Sequence, residues 1–158
     1  MGVRVGLGYD VHPFSDDDER PLVLGGVVIE GRALAGHSDA DVVCHAIADA
    51  LLGPAGLPDL GTLFPASDDA YRDAASIDLL RDVVQRVGAA GWSVVNVDIA
   101  VNAEQPRLAP HLDAMVECLG NALEGAFVSV KPKRGEGIGA VGRAEGIACW
   151  AVALLESR

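Results

Sequence analysis

The sequence predicts an α+β fold: a mixed four-stranded sheet with helices packed on one face and a small extra β-hairpin. Three observations predict it. Strand character marks three longer segments, near 3–11, 92–103 and 127–131, and a β-poor stretch near 146–157 completes the sheet as a fourth strand. Helical spacing or capping signals mark three others, near 39–52, 76–90 and 108–123. Their order is strand, hairpin, helix, loop, helix, strand, helix, strand, strand, which gives layers rather than repeated βα units. The 158 residues, 1–158, read as a single domain with no internal repeat and no linker.

Each element has its own reason. Two short apolar runs at 22–24 and 27–30 flank Gly25-Gly26, a good hairpin turn. In "GHSDADVVCHAIADALLG", Ser38 and Asp41 have the spacing of a capping box, so the first helix is expected just after Ser38. Gly53-Pro54 is expected to stop it near Leu52. Residues 53–75 carry repeated turn signals and read as a long irregular connection, a kind of loop that is often functional. Ile77, Leu80, Val83, Val84 and Val87 recur at helical spacing in the second helix, Ser76 to Ala90. "WSVVNVDIAVNA" alternates as a strand until Pro106, and a third helix follows from Leu108 to Leu123. "FVSVK" is a strand; "GIACWAVALLES" suits helix or strand, and is read as the last strand because the sheet otherwise lacks an edge partner.

Composition excludes some functions. Half the residues are hydrophobic and only 4% aromatic, so the core is built from Ala, Val, Leu and Ile. A net charge of −11 argues against a nucleic-acid surface, which needs a basic stripe. It leaves room for a phosphorylated small molecule held by metal ions, backbone N–H groups and a few local bases. No apolar run approaches the roughly 20 residues of a membrane span. The start "MGVRVGLGYD" lacks the apolar region of a signal peptide, and Gly6 breaks the myristoylation pattern. Cys44, Cys118 and Cys149 are sparse and unpaired in spacing, as expected of reduced, buried thiols in a cytoplasmic protein. "SDDDE" at 15–19 reads as a solvated loop.

The residues that can do chemistry cluster early. In "GYDVH", Asp10 and His12 lie on one face of a strand and Val11 on the other. Asp41, His45 and Asp49 form a stripe at i, i+4, i+8 on an apolar helix, lining either solvent or a site. Alone, these read as a surface ion pair and a solvated stripe. Together, an Asp and two His form a three-ligand set that leaves one zinc coordination place open, as at catalytic sites. Other divalent metals suit the same set. "GEGIGAVG" contains G-x-G-x-x-G, but only 16 residues follow Gly142, too few for a dinucleotide-binding βαβ unit. A turn between strands is expected there. "KPKR", Lys131 to Arg134, is either a phosphate-binding patch or a solubilising one. No protein nucleophile motif stands out.

Together, "GYDVH", "GHSDADVVCHAIADALLG", "LPDLGTLFP", "NAEQPRLAPH" and "GRAEGIAC" resemble the 2-C-methyl-D-erythritol 2,4-cyclodiphosphate synthase family, from about residue 3 to 155. The resemblance implies a homotrimer with sheets around a threefold axis and sites at subunit interfaces. It implies zinc on Asp10, His12 and His45, and a second ion, magnesium or manganese, on Glu136 with the substrate phosphates. His37 and Ser38 match the substrate loop, with His37 stabilising the transition state. Asp59 and Gly61 match a ribose-binding turn, and Phe64, Pro65 and Asp68 the loop after it. Ala103 to Ala109, including Pro106, Arg107 and Leu108, match a cytidine pocket contributed by a neighbouring subunit.

The family usually has threonines where this chain has Lys133, Arg134 and Gly135. Arg134 falls where a threonine contacts the diphosphate, and arginine can bind phosphate oxygens bidentately. Ala140 replaces a Phe found in some members. Arg143 and Glu145 match positions that bind an isoprenoid diphosphate in the central cavity. The implied reaction is cyclisation of 4-diphosphocytidyl-2-C-methyl-D-erythritol 2-phosphate with release of CMP. A zinc phosphohydrolase, or a non-catalytic trimer binding CDP or isoprenoid diphosphate, is the competing reading.

Overall fold

The computed structural model describes residues 2–158. β1 (Val3–Pro13), β4 (Trp92–Asn102), β5 (Phe127–Lys133) and β6 (Gly146–Ser157) form one sheet in the order β1-β6-β4-β5. β6 runs antiparallel to both β1 and β4, while β4 and β5 are parallel, so the sheet is mixed as expected. β2 (Leu22–Leu24) and β3 (Val27–Ile29) form the separate hairpin.

Three main helices cover one face: α1 (Val42–Ala55), α3 (Ser76–Ala89) and α4 (Leu112–Ala122). α1 lies across β1 and β6, α4 lies against β5, and α3 packs on α1, α4 and β4. Side-chain alternation builds the core between the layers. On β6, Ile147, Cys149, Ala151, Ala153 and Leu155 are buried, whereas Trp150 and Val152 are exposed on the other face.

β1 explains why α1 sits so close. Gly6 and Gly8 face the helix, where a Cβ would lie 1.9 Å from the Ala50 carbonyl oxygen and 1.8 Å from that of Ala46. Only glycine allows the helix backbone to rest on the strand at that separation. Asp10 and His12 continue the same face, one step further along.

Several boundaries differ from the sequence reading. α1 begins at Val42, three residues beyond the expected start, because Asp41 rather than Ser38 is the N-cap. The Asp41 carboxylate accepts the Val43 and Cys44 N–H groups, and also those of Gly25 and Gly26. It therefore ties the hairpin turn to the helix start, is fully buried, and is not part of a polar stripe with His45. At its other end α1 runs through Gly53 and Pro54 to Ala55. Connection 53–75 is less irregular than expected: it holds α2 (Leu60–Leu63) and a 3-10 turn at Asp69–Tyr71. The third long helix starts later, at Leu112, after a 3-10 turn at Ala109–His111. The glycine-rich turn carries a single helical turn, α5 (Gly139–Gly142).

Cys44 and Cys149 are buried, Cys118 is partly buried, and all three are free thiols. The 15–19 loop is mostly exposed. Among the described residues no helix is long and apolar enough to cross a membrane.

Candidate metal centre and active site

Asp10 and His12 leave β1 toward α1, and His45 leaves the first turn of α1 toward them. Asp10 Oδ2 lies 2.9 Å from His12 Nε2 and 3.0 Å from His45 Nδ1. The two imidazole nitrogens are 3.2 Å apart. Among the described residues these three are the one group of His, Cys, Asp and Glu close enough to share an ion. A tetrahedral ion with bonds of about 2.0–2.2 Å spaces its ligands by roughly 3.3 Å, so the triangle needs little adjustment.

The far sides of the rings support a metal fit. His12 Nδ1–H donates to the Ala35 carbonyl at 2.8 Å, which leaves Nε2 free to coordinate. His45 Nε2 is 2.8 Å from Ser76 Oγ and 3.2 Å from Ser38 Oγ. Without an ion the group is an ion pair. Burial alone would raise the Asp10 pKa, but hydrogen bonds and charge from His12 and His45 outweigh it and hold the carboxyl at about 2. Burial opposes protonation of His12 as well, yet the Asp10 contact wins and raises its pKa.

A cavity of about 280 Å³ opens over the triad. Its lining includes His37, Ser38, Asp49, Gly61 and Phe64 as well as the three ligands. His37 Nε2–H donates to the Asp68 carbonyl at 2.9 Å, which ties the two halves of the expected substrate loop together. Asp59 caps α2 by accepting the Thr62 N–H at 2.9 Å, and hydrogen bonding from the Thr62 side chain first, then from this N–H, lowers its pKa. The Asp68 side chain caps the following 3-10 turn. Asp59, Pro65 and Asp68 frame the cavity loop without lining it.

The other predicted residues gather elsewhere. A larger cavity of about 530 Å³ is lined by Ala103 to Ala109 together with Pro132, Lys133 and Arg134. Ala103 and Leu108 are buried in it, while Arg107 and Ala109 are exposed. Arg134 donates to Glu104 Oε1 at 2.5 Å, and the Gly135 N–H donates to Oε2 at 3.0 Å. The bond from Arg134 holds Glu104 below the usual carboxylate range. Glu136 is exposed, has a positive φ of 53°, and belongs neither to the metal triad nor to either cavity lining. Arg143 pairs with Glu145 at 2.8 Å on the surface. One chain thus carries two groups of candidate residues, with no lining residue in common.

Sequence reasoning missed Ala35 and Ser76, which bond the imidazoles, and Asp39, which bonds Ser76. A carbonyl contact leaves no mark in residue type, and Ser76 reads only as a helix start. Asp49 was noted as part of a stripe, but its role is specific: it accepts the Leu60 N–H at 2.8 Å and anchors α2 beside the cavity.

Comparison with known proteins identifies the family. Residues 3–156 match the YgbB family. A 2-C-methyl-D-erythritol 2,4-cyclodiphosphate synthase of Rubrobacter xylanophilus is 55% identical over 159 aligned positions, covering 98% of this chain and 96% of that protein. The Bordetella petrii synthase is 52% identical over 155 positions, covering 96% and 94%. The solved Plasmodium falciparum enzyme, in a complex with CDP, superposes with a TM-score of 0.85 at 34% identity, covering 99% of this chain and 97% of that one. The chain therefore belongs to the YgbB family, the family of the 2-C-methyl-D-erythritol 2,4-cyclodiphosphate synthases.

Proposed function

We infer that the metal triad and the Ala103–Arg134 cavity are the two halves of one cyclisation site. The activity is closure of 4-diphosphocytidyl-2-C-methyl-D-erythritol 2-phosphate to 2-C-methyl-D-erythritol 2,4-cyclodiphosphate, with release of CMP, in the non-mevalonate isoprenoid precursor pathway. An oxygen of the 2-phosphate forms a bond to the β-phosphorus, and the bond from that phosphorus to the CMP oxygen breaks. The observation that carries the site assignment is the meeting of Asp10, His12 and His45 in the cavity that His37, Ser38, Gly61 and Phe64 also line.

The nucleophile belongs to the substrate, so the chain's task is to orient and to stabilise charge. Holding a flexible substrate in attack geometry can lower a barrier by several kcal/mol. We assign zinc to Asp10, His12 and His45; when bound, a divalent ion polarises phosphate oxygens and offsets developing negative charge. Glu136 is assigned a second ion, magnesium or manganese, shared with the phosphates. His37 is placed to donate to a phosphate oxygen once it releases Asp68. Asp59 and Gly61 hold the ribose, and Phe64, Pro65 and Asp68 shape the loop beside it. Ala103, Pro106, Arg107, Leu108 and Ala109 hold the cytosine. Lys133 and Arg134 line that cavity, where Arg134 retains N–H groups that Glu104 does not occupy.

A cytidine diphosphate group spans both functions, and this supports bringing the cavities together across a subunit boundary. A homotrimer with the sheets around a threefold axis would do so. Its support is the uncovered sheet face, where Val5, Leu7, Tyr9, Val11, Trp150 and Val152 are exposed. An isoprenoid diphosphate in the central cavity, bound through Arg143, extends the same reading. The cytoplasm is the proposed location, in keeping with three unpaired thiols.

Phosphorus NMR of the products tests the assignment. A cyclic diphosphate plus CMP is expected. Linear phosphates would replace it with metal-dependent hydrolysis, and calorimetric CDP binding without turnover would replace it with a binding protein.

A further inference from the structure

We propose that Ser76 and Asp39 are positioning residues that set the tautomer of His45 for divalent-metal binding. The inference rests on the metal reading of Asp10, His12 and His45. The direction of each hydrogen bond follows from counting protons. The Asp39 carboxylate can only accept. Its Oδ1 lies 2.5 Å from Ser76 Oγ, and its Oδ2 takes the Ser76 backbone N–H at 3.0 Å. The Ser76 hydroxyl proton is therefore committed to Asp39, and the Ser76 oxygen is left as an acceptor. His45 Nε2, 2.8 Å away, must supply the proton between them. Nδ1 is then the nitrogen with the free lone pair, and it is the atom that faces Asp10 Oδ2 and His12 Nε2.

Two further observations agree. Ser76 is 1% exposed, so solvent does not compete for its oxygen. Ser38 Oγ accepts the Ala40 N–H at 3.2 Å and lies 3.3 Å from Ser76 Oγ; with the Ser76 proton on Asp39, a bond between the two hydroxyls is one that Ser38 donates. The same cluster thus orders a metal-binding imidazole and a residue lining the substrate cavity. It also crosses elements. Ser76 opens α3, Asp39 precedes α1, and His45 lies on α1, so docking of α3 fixes a ring that α1 carries. His12 needs no such relay, because the Ala35 carbonyl sets its tautomer directly.

The test uses the full-length protein, zinc alone, and competition with a chelator of known affinity. Ser76→Ala is expected to weaken zinc binding about 10- to 100-fold, as loss of an outer hydrogen-bond partner does at other metal–histidine sites. Ser76→Thr keeps the hydroxyl and is expected to stay within about threefold of the parent. Imidazole NMR of the zinc-loaded parent is the second measurement, independent of whether a variant folds. It should show His45 bound through Nδ1 with the proton on Nε2. Coordination through Nε2, or a Ser76→Ala affinity equal to that of the parent, overturns the proposal. A parent protein that takes up no zinc overturns the metal reading itself, which separates the two failures.

Discussion

At the level of single residues, the centre depends on ligands whose protonation is set by one another. His45→Ala should remove both zinc uptake and turnover while leaving stability within about 2 kcal/mol of the parent, read by metal analysis and chemical denaturation. Asp10 has a pKa of about 2 against an ordinary 3.8 in the ion-free fold. Its contribution to stability is present above 3.8 and disappears as pH falls through 2. The size is about 2 kcal/mol by linkage. His12 describes the same contact from the cationic side: its raised pKa gives stability present below 6.5 and lost as pH rises beyond the raised value. Chelator-treated protein should therefore gain most from the pair between about pH 4 and 6.5. Asp10→Asn should flatten that profile in pH-dependent unfolding. Arg134 tests the chain's departure from the usual threonines. If it clamps phosphate, Arg134→Thr should raise KM roughly tenfold with little change in kcat. An unchanged KM would mean that Glu104 keeps the guanidinium to itself.

Among the elements, the contact of β1 with α1 sets the site. Gly8→Ala places a methyl group where the Ala46 carbonyl oxygen stands. The helix must lift, with an expected cost of about 3 kcal/mol or more, measured by denaturation. Zinc affinity should fall with it, although no ligand has changed. The strand character of β1 and β4 was legible in the sequence, and so was the face shared by Asp10 and His12; β6 was not, since its β-poor stretch suits helix or strand, and it proves to lie between β1 and β4 rather than at an edge. The helix start was not. Ser38 and Asp41 have capping-box spacing, but Asp41 also accepts two N–H groups from the distant hairpin turn, and that tertiary bond decides the boundary. Connection 53–75 looked irregular because its helices are only a turn long, below the length at which periodicity is visible. The candidate metal ligands could be suspected from residue type. The ring partners Ala35 and Ser76 could not, because their roles arise only when loops from separate elements meet.

On the scale of the whole molecule, the uncovered sheet face and the separated cavities point the same way. A glutamate in place of Leu7, midway along β1 on that face, should yield a monomer by analytical ultracentrifugation. It should lose turnover yet keep its zinc, since all three ligands lie on one chain. Residue 7 itself is 69% exposed in the single chain, so folding is expected to survive the change. The division into two cavities with no shared lining residue has a genetic consequence. In the proposed trimer, two inactive alleles, one lacking His45 and the other crippled in the proposed cytosine loop, would rescue each other when co-expressed. In equal mixtures, random association would leave about a quarter of the boundaries with an intact half from either side. Complementation of that kind is open only to an enzyme whose neighbours finish one another's work.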